Sequence, residues 1–201
     1  LDVLGRNELQ TVTRIYAPDG SFLDFFATED ELYTLPLSGT YRLEFYANGS
    51  ATPVNYSVRL TDASHLPPLQ HNTSFAINFD QTYQGEIWAF DASAGDLLGF
   101  DVGVRDMNAS FRVVEPDGKS FGLSELVQMN KTGRHYLVMN GRHQLSPVFS
   151  EGKIWNPNLL QATTEGPFDV HFAGQEWHYF SFELVAGQRV FFTQLTTSPT
   201  Y

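Results

Sequence analysis

The chain has 201 residues, and its 12 Lys and Arg against 23 Asp and Glu give a formal net charge of −11. An acidic surface repels phosphate backbones, so nucleic acid is not expected as a partner. The absence of cysteine excludes disulfides, thiolate zinc sites and a cysteine nucleophile. No apolar run reaches the about 18 residues of a membrane span, so we expect no membrane insertion, and no signal peptide begins at Leu1.

Taken from the N-terminus, the sequence alternates short apolar segments with turns. A Pro-Asp-Gly turn at 18–20 precedes an alternating apolar segment at 41–45. Residues 65–72 contain adjacent prolines, which favour a stiff, extended linker. Alternation resumes at 75–79, and a second Pro-Asp-Gly turn follows at 116–118. Period-2 segments bounded by such turns predict half-buried antiparallel strands and an all-β sandwich.

The later sequence repeats the earlier sequence. Residues 75–79 align with 168–172, the Ala-Gly turn at 94–95 aligns with 186–187, and the two Pro-Asp-Gly turns align with each other. The repeat length is about 95 residues. We therefore predict tandem antiparallel β-sandwich units in this order: the second half of a repeat over 1–64, a linker over 65–72, a complete repeat over 73–165, and the first half of a further repeat over 166–201.

Each terminal half-repeat has an apolar face and sheet edges that require a cover. Phe45 belongs to the first half and Phe182 to the last. The linkers favour stacking of neighbouring units over a fold in which the chain ends close around a whole unit. We therefore expect neighbouring repeats, or adjacent copies of the same protein, to complete the two halves.

The order of three motifs resembles the bacterial pre-peptidase C-terminal domain family. These motifs are an aromatic strand with an Ala-Gly-Asp turn at 88–96, an apolar strand with a Pro-Asp-Gly turn at 111–118, and Ser-Gly-Thr-Tyr at 38–41. His135 departs from the pattern, since Tyr41 stands at the matching position. The resemblance implies eight-stranded jelly-roll units on secreted or cell-surface proteins, some of which bind calcium, collagen or polysaccharide.

Acidic residues flank one predicted strand and its turns. Calcium takes about six to eight oxygen ligands, and carboxylates on adjacent loops supply them. Aspartate at a turn also caps its own backbone without a metal, so both interpretations stand. No other cofactor is expected. The candidate calcium ligands are Asp91, Asp96, Asp101 and Asp106.

Two kinds of surface site follow from residue type. Trp155 is predicted on a long loop between Gly141 and Asn158, where an indole ring is able to stack on sugar rings. Five Asn-x-Ser/Thr sequons are candidate N-glycosylation sites, although Asn-rich turns also produce this pattern. The five are Asn48, Asn55, Asn72, Asn108 and Asn130.

No catalytic or phosphate-binding motif occurs in the sequence. We therefore expect a non-catalytic structural or adhesive repeat module of a large secreted or cell-surface protein. The alternative is a carbohydrate- or protein-binding accessory domain of a secreted hydrolase. Beyond neighbouring repeats, the expected partners are a polysaccharide or an extracellular protein.

Overall fold

The computed structural model describes nine stretches of the chain, and every structural statement below refers to them. They are residues 2–4, 11–26, 32–47, 57–79, 85–103, 109–141, 148–157, 159–161 and 179–188. These stretches contain fifteen β-strands and one short 3-10 turn, without an α-helix. The all-β prediction is confirmed for this part of the chain. None of its helical structure is long and apolar enough to cross a membrane.

The strands are numbered in chain order. They are β1 (Asp2–Leu4), β2 (Thr11–Tyr16), β3 (Phe22–Phe26), β4 (Arg42–Ala47), β5 (Ser57–Arg59), β6 (Ser74–Phe79), β7 (Gly85–Ala92), β8 (Leu97–Asp101), β9 (Ala109–Val114), β10 (Ser120–Gly122), β11 (Leu126–Gln128), β12 (Gly133–Gly141), β13 (Val148–Trp155), β14 (Leu159–Gln161) and β15 (Tyr179–Ser181). The 3-10 turn is Ala63–His65.

The middle of the chain forms two four-stranded antiparallel sheets. One has the order β10-β9-β12-β7 and the other β11-β8-β13-β6. Three smaller sheets have the orders β3-β2-β4, β1-β5 and β14-β15, and only the last pair is parallel. The chain comprises two compact units, residues 1–156 and residues 157–201.

Both four-stranded sheets contribute to one apolar core. The rings of Phe90 on β7 and Phe100 on β8 meet edge to face, with their centroids 5.7 Å apart. The alternating segment predicted at 75–79 contributes Phe75 and Ile77 to this core, because successive side chains of a strand point to opposite faces. The core residues are Phe75, Ile77, Phe90, Ala92, Leu98, Phe100, Val113, Val127, Met129, Leu137, Met139 and Ile154.

Strand β13 replaces the long loop that the sequence predicted between Gly141 and Asn158. It pairs with β6 on one side and with β8 on the other, so it is a central strand of its sheet. Its apolar alternation is interrupted at Gly152, where a Cβ atom would lie 2.4 Å from the Phe75 ring. The ring of Phe75 fills the space that a side chain on β13 would need, which is why the strand lacks a strong apolar pattern.

The N-terminal sheet repeats the register of the middle sheet. Strand β2 pairs Ile15 with Leu43 on β4, and β9 pairs Val113 with Leu137 on β12. Across the turns, Tyr16 pairs with Phe22 as Val114 pairs with Ser120. The positions equated by the sequence alignment therefore occupy equivalent places in β2–β4 and β9–β12, whereas a bulge shifts β3 by one residue, so that Ile15 pairs with Asp24 and Val113 with Phe121.

The N-terminal strands contact the middle sheets through polar groups. The Arg59 guanidinium on β5 donates to the Gly85 carbonyl oxygen at 3.0 Å, and Arg134 on β12 donates to the Ser64 carbonyl oxygen at 2.8 Å. In the predicted linker, Pro68 forms a parallel bridge with Ala89, and Leu69 packs against the core. This stretch therefore lies along β7.

Candidate functional site

The first Pro-Asp-Gly turn joins β2 to β3. The Ala17 N–H donates to the Ser21 carbonyl oxygen, and the Gly20 N–H donates to the Ala17 carbonyl oxygen, both at 2.9 Å. Gly20 has φ +86°, a left-handed backbone that glycine adopts without a steric penalty. Asp19 Oδ1 accepts from the Ser21 N–H at 2.9 Å and from its hydroxyl at 2.7 Å. These bonds to Ser21 hold the pKa of the Asp19 carboxyl below its ordinary value of 3.8.

The second Pro-Asp-Gly turn, between β9 and β10, has the same geometry. The Glu115 N–H donates to the Lys119 carbonyl oxygen at 2.8 Å, and the Gly118 N–H donates to the Glu115 carbonyl oxygen at 2.9 Å. Gly118 has φ +84°. Asp117 Oδ1 accepts from the Lys119 N–H at 3.2 Å. That bond, with the charges of Lys119 and Lys131, lowers the pKa of the Asp117 carboxyl.

The proline of each turn packs against a glycine, which lies just before β4 in the N-terminal sheet and at the start of β12 in the middle sheet. A Cβ atom on Gly39 would lie 2.8 Å from the Pro18 ring, and one on Gly133 would lie 3.1 Å from the Pro116 ring. Both glycines have positive φ, +142° and +137°. The proline ring therefore packs on a bare backbone in both places, which explains why the two motifs occur together in the sequence.

The residues beside the two turns differ between the N-terminal sheet and the middle sheet. In the middle sheet, Glu115 and His135 flank the ladder pair Val114–Tyr136, and both are buried. His135 stacks on Phe90 with ring centroids 5.3 Å apart, and its Nδ1 lies 3.0 Å from the Gly133 carbonyl oxygen. Within the described part of the chain, neither His135 Nε2 nor Glu115 Oε1 has a hydrogen-bond partner. The only sequence signal was the departure of His135 from the aromatic pattern.

The corresponding N-terminal pair is Ala17 and Tyr41. Ala17 is buried, and the Tyr41 hydroxyl both accepts from the Leu37 N–H at 2.8 Å and donates to the Leu37 carbonyl oxygen at 2.6 Å. The N-terminal region thus combines a small residue with a large satisfied one, where the middle sheet has two polar side chains.

The candidate calcium ligands lie on separate elements. Asp91 is on β7, its Oδ1 3.7 Å from Arg134 Nε, and Asp101 ends β8 in the other four-stranded sheet, where its Oδ1 accepts from the Gly103 N–H at 3.2 Å. Asp106 lies outside the described residues. Among the described residues, no group of three or more His, Cys, Asp or Glu is placed to hold a metal ion.

Asp96 occupies the Ala-Gly turn, and a glutamine takes its place in the corresponding later turn. Asp96 Oδ2 accepts from the Ser93 N–H at 2.8 Å, and Gln188 Oε1 accepts from the Val185 N–H at 2.6 Å. Since a neutral amide makes the same bond, capping of the turn accounts for Asp96 without a metal. Calcium binding by the four aspartates stays a prediction.

Trp155 is the last residue of β13, so its predicted place on a loop was wrong. Its ladder partner is Gly99 on β8, and a Cβ atom on Gly99 would lie 2.2 Å from the indole ring. The indole therefore lies flat over the Gly99 backbone. Because Ile154 is fully buried, Trp155 faces away from the core, beside Leu126, the other ladder partner of Gly99. Its burial is intermediate.

Two of the five sequon asparagines are described, and both are exposed. Asn72 has φ +64°, and its Oδ1 accepts from the Asn156 N–H at 3.2 Å. Asn130 precedes β12, and Thr132 of its sequon accepts from the Ala94 N–H at 2.9 Å. The other three, Asn48, Asn55 and Asn108, lie outside the described residues.

No family model, no curated protein and no solved structure matches this chain. The resemblance to the pre-peptidase C-terminal domain family rests on sequence motifs alone and stays a prediction.

Proposed function

We propose that this chain is a non-catalytic structural or adhesive module built from tandem β-sandwich repeats of about 95 residues, part of a larger secreted or cell-surface protein. One observation carries the proposal. The Pro-Asp-Gly turn seated on a glycine occurs twice, at positions that the sequence repeat equates, with the same hydrogen bonds and ladder register. Two copies of the same local structure in one chain are typical of repeat proteins.

The strand order of the middle region supports a jelly-roll sandwich. Of its eight strands, the first pairs with the last (β6 with β13), the second with the seventh (β7 with β12), the third with the sixth (β8 with β11) and the fourth with the fifth (β9 with β10). Nested pairs of this kind, divided between two sheets, are expected when a long hairpin folds into an eight-stranded jelly roll.

The contacts between neighbouring regions support a mechanical role. Arg59 and Arg134 each bond to a backbone carbonyl across the boundary between the N-terminal strands and the middle sheets. The predicted linker also bridges to β7 at Pro68. Such contacts restrict motion between successive repeats, and a stiff array is suited to projecting or tiling a surface.

Stretching single molecules of the full chain tests the proposal. Strands β6 to β13 span residues 74–155, and at about 3.5 Å per residue their unfolding releases about 280 Å of chain. We expect one discrete event of that length. Extension without a discrete event would contradict a structural role, and release of products from polysaccharide or protein substrates would contradict a non-catalytic one.

A carbohydrate-binding accessory domain is the second candidate, because Trp155 lies on the outward face of β13. Affinity electrophoresis in gels of neutral and acidic polysaccharides tests it. We expect Trp155→Ala to abolish any retardation and Trp155→Phe to keep it. Tyr136→Ala is the matched control, since Tyr136 is also partly exposed but lies on the other four-stranded sheet. Equal retardation of all variants would exclude Trp155 as the contact.

A further inference from the structure

Three side chains form a row across the outer face of the N-terminal sheet β3-β2-β4. Tyr16 on β2 pairs with Phe22 on β3 and with Arg42 on β4, so the three side chains lie on one face of the sheet. Ile15, the residue before Tyr16, is buried, so the row lies on the face opposite to the buried one. Because neighbouring strands are about 4.8 Å apart, the row spans about 10 Å.

Contacts between the rings and the guanidinium hold this row in place. Arg42 Cζ lies 4.3 Å from the centroid of the Tyr16 ring, and the Phe22 ring meets the Tyr16 ring edge to face, with centroids 5.9 Å apart. The quadrupole of the ring attracts the guanidinium, which orients the Arg42 side chain before a ligand arrives. Phe22 is 54% exposed, and Arg42 is also exposed. An apolar ring and an oriented guanidinium therefore face solvent on either side of Tyr16.

The positive charge of Arg42 has no partner of its own in the described part of the chain. The Tyr16 hydroxyl donates to Glu44 Oε2 at 2.8 Å, and Arg14 Nη1 lies 3.6 Å from the same oxygen. Glu44 is therefore balanced by Arg14, while Arg42 makes no salt bridge. In a chain whose acidic residues outnumber its basic ones by 23 to 12, an arginine oriented in this way and left unpaired indicates a place for an external anion.

The middle sheet keeps the same ladder without this row. Its equivalent residues are Ser120, Val114 and Tyr136, and Val114 is buried. The middle region has neither an arginine nor a phenylalanine at the ends of the row, yet it forms the same turn. The turn and the register of the repeat therefore do not account for the exposed Phe22 and Arg42.

We propose that the row of Phe22, Tyr16 and Arg42 binds a glycan whose terminal sugar carries one carboxylate. Arg42 holds the carboxylate, because a guanidinium presents paired N–H donors that match its two oxygens. The apolar face of the sugar ring lies on Phe22, and the remaining lone pairs of the Glu44 carboxylate accept from sugar hydroxyls. The inference rests on the proposed adhesive function and deepens it by naming the class of ligand.

The charges of the chain favour a single sugar acid over other ligands. A polyanion is repelled by the net charge of −11, whereas one carboxylate matches one unpaired guanidinium. An acidic peptide supplies a carboxylate but not the hydroxyl groups that suit Glu44. A neutral sugar supplies the hydroxyls but leaves the charge of Arg42 unpaired. A sugar acid at the end of an otherwise neutral glycan meets all three requirements of the site.

NMR titration of the full chain with sialyllactose, a trisaccharide that ends in one sugar acid, tests the site. The signals followed are those of the Phe22 ring and the Arg42 Nε–H group. We expect both to shift saturably with sialyllactose, and neither to shift with lactose or with the methyl ester of sialyllactose, which keeps the ring but lacks the charge. No shift with sialyllactose, or equal shifts with its methyl ester, would overturn the proposal.

Substitutions at the two ends of the row separate the charge from the apolar contact. Arg42→Ala should weaken binding about tenfold or more, because a charge-assisted hydrogen bond is lost. Arg42→Lys should restore part of the affinity, since lysine keeps the charge without the paired donors. Phe22→Ala should also weaken binding, and Phe22→Tyr should keep it. Unchanged affinity in either alanine variant would contradict the assignment.

Lys119→Ala is the matched control for net charge. Lys119 lies just after the equivalent turn of the middle region, and its side chain is 78% exposed, so its removal takes away one positive charge far along the chain from the row. We expect this variant to bind sialyllactose as the unsubstituted chain does. Weakening equal to that of Arg42→Ala would mean that the net charge alone governs binding, which would overturn the proposal.

Polyanions provide the last comparison. Polygalacturonate and polyglutamate should bind more weakly than sialyllactose at equal carboxylate concentration, and tighter binding of either would replace the sugar acid by a polyanion as the ligand. The stretching event of the middle region does not depend on Phe22 or Arg42. Failure to bind sialyllactose therefore leaves the repeat function standing, and a missing stretching event beside intact binding would remove the structural role alone.

Discussion

The N-terminal and middle regions share a backbone arrangement, but equivalent apolar side chains are buried to different extents in the two regions. Ile15 and Val113 are equivalent, and both are buried beside their turns. Arg59 pairs with Asp2 as Lys153 pairs with Asp101, so the next residues, Leu60 and Ile154, are also equivalent, yet only Ile154 lies in the core. Because the turn and the ladder register are the same in both regions while burial differs, we infer that local sequence and the nearest strands are sufficient for the turn and the register. In the middle region, the burial of Ile154 accompanies the pairing of its strand β13 with both β6 and β8.

Removal of the two equivalent aliphatic side chains should give the largest contrast. Ile154→Ala deletes fully buried methyl groups and is expected to cost about 2–5 kcal/mol. Leu60→Ala removes a side chain that faces solvent and should change stability by about 0.5 kcal/mol or less. Urea unfolding followed by tryptophan fluorescence measures both. A cost at Leu60 near that at Ile154 would break the comparison, because it would mean that Leu60 is covered in solution.

Replacement of Glu115 and His135 by the residues at the equivalent N-terminal positions, Ala17 and Tyr41, tests the comparison of the two regions further. A buried polar atom without a hydrogen bond costs about 1–3 kcal/mol, and both Glu115 and His135 carry one. We expect the double variant Glu115→Ala/His135→Tyr to be more stable than either single variant. The introduced hydroxyl should bond to the Lys131 backbone, as Tyr41 bonds to that of Leu37.

A double-mutant cycle by thermal unfolding measures the coupling between the two substitutions. Residues in contact usually couple by about 0.5 kcal/mol or more. Strict additivity would show that Glu115 and His135 are independent, and that the N-terminal pair is not a structural substitute for them.

Glycine substitutions separate the backbone cost from the packing cost of the turn. At Gly118 an alanine Cβ would meet no atom within 4 Å, so Gly118→Ala should cost only the left-handed strain of about 1–2 kcal/mol. Gly133→Ala should cost more, since its Cβ would also press on the Pro116 ring at 3.1 Å. The midpoint of urea unfolding measures the two costs. Equal values would mean that the contact with proline is not tight.

Calcium should have a small effect if turn capping explains the aspartates. A ligand that binds only the native state raises the Tm by mass action. We expect little change in Tm between chelator and millimolar calcium, and no further change in Asp101→Asn. A saturable rise that Asp101→Asn removes would instead support the calcium site predicted from Asp91, Asp96, Asp101 and Asp106.

The smallest effect concerns the pKa of the two turn aspartates. Both carboxyls have a folded-state pKa below 3.8, so their contribution to stability is present above that pH and is lost as the pH falls through the lowered pKa. Carboxyl carbon NMR titration should give midpoints below 3.8 for both Asp19 and Asp117. An ordinary midpoint at either residue would show that its hydrogen bond to the following segment is not maintained in solution.

The sequence by itself determined that the chain is all-β, and it identified the alternating strand at 75–79 and the two Pro-Asp-Gly turns. Both follow from local physics, because period-2 alternation fixes the buried face and Pro-Asp-Gly fixes the turn backbone. Ile77, in the alternating segment 75–79, is therefore recognisable as a core position from the alternation alone.

Tertiary structure decided the features that depend on residues far apart in the chain. Strand β13 is central because it pairs with both β6 and β8, and Phe75, from another strand, fills the gap at Gly152. Trp155 lies over Gly99, which is remote in sequence. The burial of Glu115 beside His135 depends on the β9–β12 register, and the separation of Asp91 from Asp101 depends on which sheet each strand joins. None of these has a local signature, because sheet pairing brings together residues whose spacing in the sequence carries no periodic signal.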